Sequence, residues 1–163
     1  EGWGVPMDAE ARALEIGKAE LLRSGKSLAI LAIGQTVHPA LSAAEDLAPL
    51  GIDATVVNAR FVKPLDKELL CGVLRNISHV ITVEDHAVAG GFGSAVLELL
   101  AEEGITGVNV RCLGVPDRFI PHGTQDELRK LCGFDREGIT QAALQMMRVG
   151  KKRAKEGWER GSA

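Results

Sequence analysis

Residues 83–96, VEDHAVAGGFGSAV, set Glu84, Asp85 and His86 at the end of an apolar run and follow them with Gly90, Gly91, Phe92, Gly93 and Ser94 ahead of a helix-like stretch. Three kinds of chemistry fit these residue types. A histidine beside carboxylates can carry protons near neutral pH. A glycine turn between a strand and a helix can present backbone amides to an anion. Alternatively, Glu84 and Asp85 accept hydrogen bonds from amides near the positive end of the following helix, and the glycines supply positive φ and a close helix–sheet approach. No nucleophile, second base or metal ligand accompanies the cluster at legible spacing. The structural reading therefore leads, and a direct catalytic role stands as its rival.

Two further stretches look like ligand loops and fail on spacing. Residues 24–27, SGKS, have the look of the end of a phosphate-binding loop, but that motif needs a glycine where Glu20 stands and should open a helix, whereas this stretch precedes a strand. The Gly91-Phe92-Gly93 step is better placed, yet a dinucleotide fingerprint wants a small residue where Val96 stands, and an acid where VNVRCLG offers Arg111 and Cys112. His38, His79, His86 and His122 show no metal-ligand spacing with one another or with cysteine. Cys71, Cys112 and Cys132 are odd in number, far apart and set in apolar-patterned segments, which reads as free thiols in a reducing cytoplasm. A net charge of −3 gives no electrostatic reason to expect nucleic acid or an anionic membrane as partner. No apolar run approaches the roughly 20 residues that span a bilayer, and no signal peptide is legible.

The elements that must position these residues alternate. Residues 14–34 read as a short strand or hairpin leading into a buried strand at about 28–33. A helix follows with Val37, Ala40, Leu41, Ala44, Leu47 and Ala48 at helical spacing, closed by Pro49 and Gly51. DATVVNARF is a second core strand, and PLDKELLCGVL a helix with Asp66 as N-cap. HVITVE is a third strand, buried on both faces, and GSAVLELLAEEG its helix; VNVRCLG is a fourth core strand. Thr124 and Glu127 stand in capping-box spacing, and a last helix spans about 135–149 with Ile139, Ala143 and Met146 on one face. Strand–helix alternation predicts a three-layer α/β/α domain with a mostly parallel five-stranded sheet, its opening strand antiparallel. Residues 1–13 read as a linker, 14–149 as the domain and 150–163 as a charged tail.

LEIGKAELLRSGKSLAILAIG, GIDATVVNARFVKPLD, ITVEDHAVAGGFGSAVLELL and PHGTQDELRKLCGFDREGI resemble the C-terminal domain of the 1-deoxy-D-xylulose-5-phosphate synthases, thiamine-diphosphate enzymes of the transketolase superfamily. The resemblance runs from about Leu14 to Met147. The VEDH corner and the RFVKPLD block also fit transketolases and the β subunits of 2-oxo-acid dehydrogenases; AVAGGFGSAV combined with DELRKLCGFDREGI points to the synthase. His86 stands where the synthase pattern often has asparagine.

The resemblance implies a longer enzyme that joins pyruvate to glyceraldehyde 3-phosphate with loss of carbon dioxide, for isoprenoid, thiamine and pyridoxal cofactor synthesis. Thiamine diphosphate and Mg²⁺ would sit on upstream domains, one bearing a Gly-Asp-Gly motif that this chain lacks. It thus implies a third domain without catalytic, cofactor-binding or metal-binding residues. Its partners would be the upstream domains of the same enzyme and the second subunit of a homodimer. Glu84, Asp85, His86, Gly90, Gly91, Phe92, Gly93 and Ser94, with Arg60, Phe61, Lys63 and Pro64, become structural and interface candidates. Phe61, Val62, Pro64, His86, Val88 and Phe92 are expected to form an exposed patch at the sheet's carboxyl edge. The rival readings are the equivalent domain of a dehydrogenase β subunit or transketolase, and an autonomous binder of a small ligand at Gly91–Gly93.

Overall fold

The computed structural model describes residues 13–147. Almost all of the expected linker, and the whole expected tail, lie outside that range.

Strand β1 (Glu20–Arg23) leads to β2 (Leu28–Ala32), then through a 3-10 turn (Gly34–Thr36) to α1 (Val37–Leu47). A second 3-10 turn (Ala48–Leu50) ends at Gly51, whose φ of 76° places it in the left-handed region that glycine favours. There follow β3 (Ala54–Asn58), α2 (Lys67–Leu74), β4 (His79–Ala87), α3 (Phe92–Glu102), β5 (Asn109–Val115) and α4 (Gln125–Cys132). A final helix, α5, occupies 136–147. The five strands form one sheet in the order β1-β3-β2-β4-β5. All neighbours are parallel except β1 with β3.

The expected hairpin is absent, because β1 and β2 do not pair: β3 lies between them. The SGKS stretch is the bridge that makes this possible. Lys26 and Ser27 amides donate to the Asp53 carbonyl, Gly25 exchanges two bonds with Thr55 Oγ1, and a Cβ on Gly25 would sit 2.5 Å from the Ala54 carbonyl carbon. The loop presses onto the amino end of β3, and only glycine fits the contact.

Burial follows the topology. Central β2 is wholly buried, as expected of a parallel strand covered on both faces. Leu28, Ile30 and Ala32 face α1 and α5, meeting Ala40, Leu47, Ile139 and Met146; Ala29 and Leu31 face α2 and α3, meeting Leu70, Leu74, Val96 and Leu99. VNVRCLG, expected as a core strand, is the sheet's edge: Asn109 and Arg111 are exposed and only Gly114 is buried. Asp66 caps α2 through the Leu69 amide, and Thr124 and Glu127 close a capping box on α4. Ala48, read as part of the apolar face, is exposed within the second 3-10 turn.

Candidate functional site

The chain crosses from β2 back to β3 on one side and from β3 over to β4 on the other, so β2 and β4 flank the topological switch point of the sheet. Crevices of open α/β sheets form at such points, beyond the carboxyl ends of the strands. Here the crevice is a cleft of about 450 Å³ lined by Ile33 and Gln35 after β2, by Glu84 and His86 of β4, and by Val62 and Phe92. Thr36, buried, donates to the carbonyls of Ile33 and Val83 at 2.9 Å and ties the two strand ends together.

Strand β4 reaches further than the sequence suggests, so Glu84, Asp85 and His86 stand on the strand and the turn begins after Ala87. Glu84 is 2% exposed. Its Oε2 accepts from the Phe92 amide at 2.6 Å and its Oε1 from the Gly93 amide at 2.9 Å. Those are the first amides of α3, which have no partner inside the helix. One carboxylate satisfies both and lies on the positive end of the helix dipole. The anion place at the head of α3 is therefore filled by the chain itself.

Glycines make room for that carboxylate. A Cβ on Gly91 would overlap the Glu84 carboxylate and the Ala87 carbonyl, and one on Gly114 would come within 2.9 Å of Glu84 Cγ and 2.8 Å of the His86 carbonyl. A Cβ on Gly93 would stand 2.7 Å from both Cys112 Sγ and Thr82 Oγ1, so α3 lies against β4 and β5 only because residue 93 has no side chain. Within the motif only Gly90 has positive φ, 76°. Ser94 Oγ accepts from the Gly90 amide at 3.0 Å and donates to the Val88 carbonyl at 3.2 Å, closing the turn.

Asp85, expected beside Glu84 as an amide acceptor, pairs instead with Arg129 of α4 at 3.0 Å, and Arg129 also reaches Gln35. His86 is exposed; its Nδ1 lies 4.0 Å from Glu84 Oε2, beyond hydrogen-bond reach, and both Glu84 oxygens are engaged elsewhere. The three residues thus form no proton relay.

The second block meets this corner at one residue only. Val62 lines the cleft. Arg60, at φ 56°, turns to β1, where its Nη2 donates to Glu20 Oε2 at 2.6 Å. Phe61 is half-buried, and Lys63 and Pro64 are exposed. Pro64 lies so close to Gly17 that a Cβ there would be 2.8 Å from the proline Cγ. Phe92 does not belong to the expected exposed patch: at 1% exposure it packs into the core with Val96 and Leu99. The spacing 92, 96, 99, 100 on one helix face carried that signal in the sequence. Gly114, Gln35 and Arg129 were not legible, because each meets the corner from a distant part of the chain.

Residues 17–139 match the family described as Transketolase, C-terminal domain. The chain belongs to that family. Among relatives of known description, it is 53% identical over 150 residues to the 1-deoxy-D-xylulose-5-phosphate synthase of Syntrophus aciditrophicus, covering 92% of this chain and 23% of that protein. It is 55% identical over 141 residues to synthase 1 of Geobacter sulfurreducens, covering 86% and 22%. These identities make it a transketolase C-terminal domain of the 1-deoxy-D-xylulose-5-phosphate synthase type, spanning less than a quarter of the length of these relatives. A solved structure titled split gene transketolase, inactive beta4 tetramer, shares the fold at a TM-score of 0.76 and 36% identity, over 83% of this chain and 44% of that one. Among the described residues, no helix is long and apolar enough to cross a membrane.

Proposed function

We propose that this chain is the third, contact-forming domain of a 1-deoxy-D-xylulose-5-phosphate synthase, and that the catalytic apparatus lies wholly on the domains preceding it. The full enzyme joins pyruvate and glyceraldehyde 3-phosphate with loss of carbon dioxide and supplies isoprenoid, thiamine and pyridoxal precursors from the cytoplasm, as a homodimer. Thiamine diphosphate and Mg²⁺ belong to its upstream domains.

The observation that carries this reading is the occupancy of the α3 amides by Glu84. A diphosphate would need those donors free, and the chain's own carboxylate already holds them. The residues present do not fit the cofactor in other respects either: the sequence has no Gly-Asp-Gly, and no three metal-ligating side chains gather among the described residues.

Calorimetric titration of the 163-residue chain with thiamine diphosphate and Mg²⁺ tests the proposal. The expected trace shows dilution heats only. Saturable binding in the micromolar range contradicts it.

A further inference from the structure

A buried hydroxyl without a hydrogen-bond partner is uncommon in a folded protein and calls for a cause. Among the described residues, two buried polar side-chain atoms have none: Arg23 Nε and Thr82 Oγ1. The Arg23 guanidinium still reaches Asp53 through its Nη2, at 3.9 Å. Thr82, on β4, is wholly buried, and its hydroxyl bonds to nothing, the sulfur of its register partner Cys112 on β5 included. Yet the two atoms converge, since each lies 2.7 Å from the point where a Cβ of residue 93 would stand. We propose that Cys112 is a modification site, where an uncharged hydroperoxide oxidises the thiol to a sulfenic acid and the Thr82 hydroxyl donates to the added oxygen.

Access comes from the edge of the sheet. Among the described residues β5 has no strand on its outer side, and Cys112 is half-buried on a cleft of about 570 Å³ whose walls include Val88, Leu97 and Leu113. Asp117 stands on the same cleft and disfavours an anionic oxidant, whereas the apolar walls accept a neutral one. The other two thiols are placed differently. Cys71 is buried in the core between α2 and the sheet, where burial, with Glu103 nearby, pushes its thiol up and away from the reactive thiolate. Cys132 lines the same cleft but packs against the core beneath α1 and α5. Thr82 stands in register with Cys112 alone.

The step balances without any further reagent. The Cys112 sulfur attacks the outer oxygen of the hydroperoxide, an S–O bond forms and the O–O bond breaks. The thiol proton passes to the departing alkoxide, which leaves as an alcohol, and the transferred oxygen keeps its own hydrogen. Sulfur gives up two electrons and the peroxide takes them. The new oxygen then offers the Thr82 hydroxyl the acceptor that the reduced protein denies it.

Both cores close within the described residues, so the 163-residue chain is the test protein. It is treated with tert-butyl hydroperoxide, trapped with dimedone and read by peptide mass spectrometry. The adduct on Cys112 should exceed those on Cys71 and Cys132 by at least about tenfold. Equal labelling of the three, or none at Cys112, overturns the proposal. Thr82→Val removes the hydroxyl and keeps the branched shape. With trapping delayed after the peroxide is quenched, its Cys112 adduct should fall at least about fivefold, while alkylation of the reduced thiol by iodoacetamide stays within about twofold and the urea midpoint is unchanged or raised. An undiminished adduct overturns the role of Thr82. Alkylation that falls in step with the adduct would reduce that role to access, and a lowered midpoint would give the hydroxyl a partner in the reduced protein; either contradicts the proposal.

Discussion

Glu84 is a buried carboxylate with each oxygen committed to one amide of α3, and removing it orphans two donors at once. A buried unsatisfied polar group costs about 1–3 kcal/mol, so Glu84→Ala should destabilise the fold by about 2–5 kcal/mol. Glu84→Gln, which keeps one accepting oxygen, should lose clearly less. Urea unfolding of both variants checks the ranking, and equal, small losses would show that the carboxylate does not hold the helix. At Gly93, a valine must displace Cys112 Sγ and Thr82 Oγ1 across a contact of 2.7 Å, with an expected cost of roughly 1–3 kcal/mol in the same assay. A midpoint unchanged from wild type would mean that α3 can lift away freely. Glu84's task was legible because an acid at a strand end just ahead of a helix has its partners close in sequence. Asp85 looked equivalent, yet its partner Arg129 lies 44 residues on, and no local pattern distinguishes the two acids. Gly114 was unreadable for the same reason: what it makes room for, Glu84, sits on a neighbouring strand.

Helices and strands show where local chemistry suffices and where it does not. The α2 and α4 caps followed from Asp66, Thr124 and Glu127 because capping is settled within one turn. The pairing of β1 with β3, and the placing of β5 at an edge, depend on which strands lie adjacent, and VNVRCLG has enough apolar residues to pass for a core strand. Surface ion pairs join the outer helices: Arg136 on α5 grips Asp46 on α1, and its guanidinium holds the Asp46 carboxyl below the usual range. Glu127 is held low in the same sense by the Thr124 amide and hydroxyl. A carboxylate with a lowered folded-state pKa contributes stability that is present above its unfolded value and is lost as pH falls through the folded one. Stability should therefore decline below about pH 4, and Asp46→Asn should remove part of that slope. Both groups are at the surface, so the effect is small. Chemical unfolding at several pH values measures it, and a slope identical in Asp46→Asn would refute the assignment.

For the whole molecule, the α/β alternation announced a three-layer domain, and the sheet order turned that into a switch point with a cleft. The amides that the head of α3 could offer to an anion are taken by a side chain of the domain itself, Glu84, so a corner with the residue types of an active site acts here as a clamp between β4 and α3. Its place at the sheet's carboxyl edge suggested that Phe92 is a surface residue; the helix face it shares with Val96 and Leu99 puts it in the core instead. His86 is exposed and lies beyond bonding distance of Glu84. The most direct test of a structural rather than catalytic corner is the steady-state turnover of the full-length enzyme carrying His86→Asn. Turnover within about twofold of wild type is expected, since a group that touches no reacting atom leaves transition-state stabilisation intact. Turnover abolished in a variant that still folds and assembles would contradict the account and return His86 to the chemistry.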